Sequence, residues 1–386
     1  MSEFSGRALR EAAKPRREVT AHCIATILSV FFRRMRGSHE LKILVQRLNN
    51  ALPIIRRMAA HPWENAVTLN PACALVSDRR ELEMIVSSLP FDRRTKEFLL
   101  SFPALCFLLY RAQGKQTKKY DFRRSSIGLA VLTPDLKLLA RHRAPVILPD
   151  RTYDNLGVED PRITKVGDRY VMVYTAYAAG EPKNRIRIAL ASSRDFVHWT
   201  KHGLLKGSFN TIDNKNGMLF EGRIGGKLVV LHRPMEGRDA MSIHWATAND
   251  LLGEWKSRGV LMKPLPNPPF VDTWIGGGAP PMSLSGGRFL FLYHIGNRAA
   301  SGSKRYDLGL AVGDFSRTPP VIRRIEPVLK PRTEFERTGD AELGVSNVAF
   351  VCGSYFYEGD LYFPYAGADS VILGGKIPRK ALEGLL

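Results

Sequence analysis

The sequence predicts an all-β fold, a five-bladed β-propeller with an N-terminal helical extension, on three observations. One strand phrase returns five times from residue 104 onward, turn residues precede its copies, and the chain before it places apolar residues at helical spacing. The phrase is a β-branched and aromatic run closed by a polar aromatic or an imidazole. It reads Phe107-Leu108-Leu109-Tyr110, Val171-Met172-Val173-Tyr174, Val229-Val230-Leu231-His232, Leu290-Phe291-Leu292-Tyr293 and Tyr362-Phe363-Pro364-Tyr365. Its last residues are 64, 58, 61 and 72 positions apart, a length that suits a four-stranded blade with long loops.

In chain order, Ala21 to Met35 and Leu41 to Met58 carry apolar residues on one helical face with Arg and Lys between them. They are read as two helices of an extension spanning 1–62. The propeller then spans 63–386, interrupted by a helical insertion at about 78–101 that precedes the first phrase. Both helical regions are expected to cap the propeller on the acceptor side of its channel. Second strands follow several phrases, as in Ser126-Ile127-Gly128-Leu129-Ala130, Ile188-Ala189-Leu190-Ala191 and Leu308-Gly309-Leu310-Ala311. Val166-Gly167-Asp168, Gly225-Gly226, Ser285-Gly286-Gly287 and Glu358-Gly359-Asp360 stand where hairpins need positive φ. A β-sandwich is the alternative architecture.

Of 386 residues, 44% are hydrophobic and 24% charged, which excludes a wholly disordered or fibrous chain. Cys23, Cys73, Cys106 and Cys352 lack metal or disulfide-framework spacing, so a reducing, cytoplasmic setting is expected. The apolar stretch from Thr20 to Phe32 is too short for a bilayer, and no membrane association is expected. Lys and Arg exceed Asp and Glu by 20, and eight of those charges fall within residues 1–60. Such a field attracts anions. No nucleic-acid motif accompanies it, so nucleic acid is not expected as a partner.

The sharpest local signal is Tyr153-Asp154-Asn155-Leu156-Gly157-Val158-Glu159-Asp160-Pro161-Arg162. Two adjacent carboxylates, a proline and an arginine make a rigid charged turn at the entrance to a strand. The plain structural reading is a solvated turn in which Glu159 and Asp160 pair with Arg162. Gly276-Gly277-Gly278 lacks the context of a dinucleotide or phosphate loop and reads as a blade loop approaching a ligand.

The Glu-Asp-Pro-Arg phrase does not stand alone. With Tyr174-Thr175-Ala176-Tyr177, Leu231-His232-Arg233-Pro234, Gly276-Gly277-Gly278-Ala279-Pro280-Pro281 before Tyr293-His294, and Tyr365-Ala366-Gly367-Ala368-Asp369, the chain resembles the β-mannoside phosphorylases of glycoside hydrolase family 130. The phrases run in family order from about Asn70 to Ile377. The basic, Arg-rich chain with its helical head also resembles the kinetoplastid branch of that family.

The resemblance implies a five-bladed propeller in which Asp160 is the catalytic acid. Phosphate as nucleophile removes the need for a second carboxylate as base. It implies phosphate contacts at Arg187, Lys215 and His232, with Arg233 adjacent. Asn70, Arg111, Glu159, Arg162, Tyr174, Asp272, His294 and Asp369 become sugar contacts, although Tyr110, Tyr174 and Tyr293 equally suit a blade core. The implied substrates are β-1,2-linked manno-oligosaccharides, mannose and phosphate, with α-mannose 1-phosphate as product, or GDP-mannose as an alternative mannosyl donor. No metal or organic cofactor is implied. Glu221 departs from the family pattern; a carboxylate near the phosphate site keeps hydrolysis as an alternative, and a non-catalytic polyanion-binding propeller is another. Homo-oligomerisation through the helical head stays open.

Overall fold

Twenty-two strands in antiparallel groups make up the computed structural model, which describes residues 45–115, 124–339 and 344–385. The expected helix Ala21 to Met35 lies outside the described residues. The described residues from 45 onward form one compact unit, so residues 45–62 belong with the strands that follow them. The expected helix Leu41 to Met58 is not formed over its described part. That stretch holds strand β1 (Gln46–Arg47), a 3-10 turn at Asn49–Ala51 with Asn49 and Asn50 at positive φ, and a bridge from Ile55 to Ile372. Its apolar residues pack on a sheet instead of on a helical face: Ile55 is buried, and Leu48 and Ile54 lie against the same cluster. Pro53 supplies no backbone donor to continue a helix.

The first group joins β2 (Val67–Val76), β3 (Leu105–Gln113), β4 (Ser125–Leu132) and β5 (Leu138–Arg141). Helices α1 (Arg79–Ser88) and α2 (Arg93–Leu100) lie between β2 and β3, capped by the Asp78 and Asp92 carboxylates on the amides of Glu81 and Thr95. The second group is β6 (Gly157–Val166), β7 (Arg169–Ala178), β8 (Arg185–Ser193) and β9 (Thr200–Leu204), linked to the first by a single parallel pairing of Ser125 with Gly157. A separate sheet contains β10 (Asn214–Leu219), β11 (Leu228–Pro234), β12 (Ile243–Ala248) and β13 (Lys256–Met262).

The fourth group contains β14 (Asp272–Gly277), β15 (Met282–Ser283), β16 (Arg288–Arg298), β17 (Lys304–Asp314) and β18 (Val321–Leu329). The last comprises β19 (Ala349–Val351), β20 (Tyr355–Tyr357), β21 (Asp360–Gly367) and β22 (Val371–Ile377), closed at its edge by β1. Among the described residues no helix is long and apolar enough to cross a membrane.

The recurring phrase is a structural latch. Tyr110 donates to Glu64, which is paired with Arg141; Tyr174 donates to Asp154, paired with Lys201. Tyr293 donates to Glu326 and Tyr365 to Glu336, the latter paired with Arg47. Burial, then the neighbouring carboxylate, pushes the Tyr174, Tyr293 and Tyr365 hydroxyls up, so they stay protonated donors. The second strand supplies room for the ring: a Cβ added at Gly128 would meet Tyr110 at 2.4 Å, and one at Gly309 would meet Tyr293 at 2.3 Å. The third group has His232 at this position, on Phe209 and opposite His244.

The insertion does not border the site described below. Helix α1 buries Leu82, Ile85 and Val86, and Glu81 accepts from Tyr170 and Lys165 at the β6–β7 turn, the far end of β6 from Asp160. The acceptor-side placement is thereby corrected for residues 78–101: they continue directly from the far end of β2.

Candidate active site

Three leading strands share one irregularity. The pairing of β2 with β3 slips between Leu69 and Pro71, that of β6 with β7 between Glu159 and Arg162, and that of β10 with β11 between Lys215 and Met218. Asn70, Asp160 and Asn216 sit in these bulges at φ of 46°, 49° and 58°. Asn and Asp tolerate the left-handed region better than other residues with a side chain, and a bulge re-aims the residue it contains. All three side chains are buried.

Asp160 Oδ1 accepts from Asn70 Nδ2 at 2.6 Å and from Arg111 Nη1 at 3.0 Å. Arg111 Nη2 reaches Glu159 at 2.6 Å, and Ser125 Oγ donates to the same carboxylate at 3.1 Å. Burial would raise the Asp160 carboxyl, but Arg111, then Arg162 and Lys215, outweigh it and hold it at about 2. Glu159 is shifted the other way, by burial first, with Asp160 adding to the rise against Arg111. Asp369, at φ 46° in the β21–β22 turn, is pushed up to about 6 by burial and by Asp160, with Arg111 opposing.

Two cations of the site, Lys215 and Arg233, are undercompensated. Lys215 falls to about 8 through burial and its neighbour Arg233; Arg233 falls to about 10 through burial, with Arg162 also disfavouring its charge. Lys215 and Arg233 are direct partners across β10 and β11, which puts both on one sheet face. His232 therefore faces the other way. Its Nδ1 lies 3.0 Å from Asn214 Nδ2, and burial and His244 hold it at about 3, so the ring is neutral. Arg187 is engaged by Asp213 at 2.6 Å and by the Thr211 carbonyl. The described contacts thus join Lys215 with Arg233, whereas Arg187 and His232 each have partners of their own.

Three expected sugar contacts have other work. Arg162 is 1% exposed and donates from Nε to Gly278 O, from Nη2 to Gly277 O and from Nη1 to Asp160 O, at 2.8 to 2.9 Å. It is a buried strut, because only a charged fork satisfies three converging carbonyls. Tyr174 belongs to the core and to its Asp154 latch, since the alternation of β7 turns it away from the face of Thr175. Asp272 forms an exposed pair with Arg298 at 2.6 Å, four residues before Gly276 and about 13 Å along the strand. Glu221 is likewise remote: six residues beyond Lys215, it is exposed and accepts from the Ser283 amide.

His294 joins the cluster. Its Nε2 lies 2.8 Å from Val351 O, its ring stacks on Phe350 at 3.6 Å, and burial, then Arg162, holds it well below its usual range. Sequence reasoning missed Asn216 as a site residue, along with Tyr306, whose hydroxyl lies in the field of Arg233, Asp369 and Asp160. The glycine run explains the close approach of strands here. A Cβ at Gly276 would meet Asn216 Oδ1 at 2.9 Å and Arg233 Nη1 at 3.1 Å.

Buried polar atoms are normally paired. Here Asn70 Oδ1, both amide atoms of Asn216, Arg233 Nε, His294 Nδ1 and Asp369 Oδ1 have no hydrogen-bond partner within the protein. Their concentration around Asp160 marks a site for a ligand rich in hydroxyl and oxyanion groups. Among the described residues no three or more His, Cys, Asp or Glu side chains are grouped to hold a metal.

The chain is similar to known proteins over most of its length. The family model described as beta-1,4-mannooligosaccharide phosphorylase matches residues 95–383. A 1,2-beta-oligomannan phosphorylase of Thermoanaerobacter sp. (strain X514) is 30% identical over 336 residues, covering 86% of this chain and 96% of the relative. A beta-1,2-mannobiose phosphorylase of the same organism is also 30% identical, covering 86% and 97%. Among solved structures, beta-1,2-mannobiose phosphorylase from Listeria innocua in complex with beta-1,2-mannobiose superposes with a TM-score of 0.69 at 20% identity, covering 89% of this chain and 99% of that one. On the extent of the family match and the full-length relatedness at 30% identity, the chain belongs to glycoside hydrolase family 130.

Proposed function

We propose that the protein is a phosphorylase of β-1,2-linked manno-oligosaccharides, and that its five strand groups are the blades of a propeller with Asp160 at the ligand-binding end. The observation that carries this reading is the pairing of one gripped carboxylate, Asp160, with two undercompensated cations, Lys215 and Arg233. The relatives support the substrate: both at 30% identity are named for β-1,2-linked mannosides. A described position for Glu221 far from Lys215 takes away the feature that favoured hydrolysis. Nothing among the described residues favours GDP-mannose as donor.

In the proposed reaction phosphate attacks C1 of the terminal mannosyl residue from the face opposite the leaving oxygen. The C1–O bond to the rest of the chain breaks, a C1–O–P bond forms, and the configuration inverts. Asp160 delivers a proton toward the leaving oxygen, directly or through a mannose hydroxyl, and recovers one from the hydrogen phosphate. Held at about 2, Asp160 is ionised in the free protein and needs a reason to take up a proton. Phosphate supplies it: a dianion beside Lys215 and Arg233 offsets the positive field that keeps Asp160 acidic. Arg187 is a further phosphate contact on this reading, whereas His232, on the opposite sheet face from Lys215 and Arg233, keeps its contact with Asn214.

Incubation with β-1,2-mannobiose, with and without phosphate, tests the reading. Phosphate-dependent formation of α-mannose 1-phosphate is expected. Release of mannose at the same rate without phosphate would make the protein a hydrolase, and turnover of β-1,4-mannobiose alone would overturn the linkage.

A further inference from the structure

Beside the carboxylate cluster, the face of the fourth sheet is organised in rows across β14, β16 and β17. The outermost row is Asp272, Arg298 and Lys304; the next is Trp274, Gly296 and Tyr306; the innermost is Gly276, His294 and Leu308. Exposure falls steadily along it. Asp272 and Arg298 are about half exposed, Trp274 is 6% exposed and Tyr306 half-buried, and His294 is 1% exposed. Gly276 at the inner end touches Asn216 and Arg233, so the face leads from solvent to the reacting groups.

The middle row is aromatic because its centre has no side chain. Trp274 and Tyr306 both pair with Gly296, and a Cβ there would meet the Trp274 ring at 2.1 Å. The Trp274 ring meets the Tyr306 ring edge to face at 5.5 Å, and Phe350 of β19 meets Tyr306 in the same way at 6.3 Å. Such contacts fix the ring planes. Tyr306 is thus a rigid ring braced from two sides, close enough to Arg233, Asp369 and Asp160 to lie in their field.

Resting on the phosphorylase reading, we propose that Tyr306, braced by Trp274 and Phe350, is the binding platform for the sugar next to the one that is cleaved. A β-mannosyl ring carries the C–H groups of C1, C3 and C5 on one face, so that face is apolar while the axial O2 points to the other. The terminal residue of an oligosaccharide that enters past Asp272 and Arg298 reaches Asp160, and the residue behind it lies over the Trp274 and Tyr306 row. An aromatic ring takes the C–H face and leaves O2, the oxygen that joins this sugar to the residue being cleaved and departs with this sugar, uncovered on the opposite side. Tyr306 thereby selects how the acceptor sugar is presented, while phosphate is held by other residues.

Binding of β-1,2-mannobiose and of inorganic phosphate, each alone, by isothermal titration to wild type, Tyr306→Ala and Tyr306→Phe separates these roles without turnover. Tyr306→Ala should weaken mannobiose binding about tenfold or more, a loss of about 1.4 kcal/mol, and Tyr306→Phe should stay within about threefold of wild type. Phosphate affinity should change less than about twofold in both, which also shows the site intact. If Tyr306→Ala does not fold, Tyr306→Leu, which keeps apolar volume without a flat ring, replaces it with the same expectation. Unchanged mannobiose binding in the ring-less variant, or a loss of phosphate binding in Tyr306→Phe, overturns the platform. Failure of the wild-type protein to bind mannobiose at all overturns the phosphorylase reading and the platform together, whereas binding by wild type and Tyr306→Ala alike overturns the platform alone.

Discussion

Asn70 and Asp160 stand 90 residues apart in the chain, both in left-handed bulges of leading strands, and meet through a 2.6 Å bond from the amide to the carboxylate. Each strand alone would aim these side chains to one side or the other of a regular pleat. The bulges turn both toward the same point, where Arg111 joins them.

Replacing Asp160 by Asn should abolish proton delivery while the amide keeps most of the volume. Phosphorolysis is expected to fall by about 10²- to 10⁴-fold, with the melting temperature little changed. Initial rates of mannose 1-phosphate release measure it, and near-normal turnover by a folded variant would remove Asp160 from the mechanism.

Arg162→Met tests the strut. Three carbonyls would lose a charged donor, two of them in the glycine run, and stability should drop by about 3 to 5 kcal/mol. Urea unfolding reads the change; a drop under about 1 kcal/mol would show that the carbonyls find other partners.

The pH dependence of phosphate use follows from Lys215. Its ammonium is charged below about 8 and neutral above, so the KM for phosphate should climb as pH rises through that value. Lys215→Arg should shift that limb to higher pH, because guanidinium stays charged there. A phosphate KM that is flat from pH 7 to about 9 in the wild type would place the anion elsewhere.

Arg47→Met addresses the segment before β2. Glu336 accepts from Arg47 at 2.7 Å and is fully buried, with Tyr365 and the Arg332 and Thr333 amides as its other donors. Removing its cation should cost about 3 kcal/mol, near the low end for a broken buried pair. Equal midpoints in urea for variant and wild type would show the pair contributes nothing.

Strand content, the fivefold phrase, the insertion at residues 78–101 and the Glu159-Asp160-Pro161-Arg162 turn were legible in the sequence, because alternation, turn glycines and adjacent carboxylates are local signals. The same local signals misread Leu48, Ile54 and Ile55 as a helical face, since residues packed irregularly on a sheet can share helical spacing. They also left Tyr174 between core and sugar contact. Only the tertiary structure, by supplying Asp154 and Lys201, made it a latch. Arg162, Arg233 and His232 lie within the quoted phrases, yet which of them faces Asp160 depends on register and bulge across strands distant in sequence. Asn216 and Tyr306 carried no motif, and their meaning arises from what packs around them: Gly276, Gly296 and the partnerless polar atoms beside Arg233. A sequence determines which side chains are available and how each strand alternates. Where those strands close on one another decides which charges share a low-dielectric pocket, and with it the chemistry.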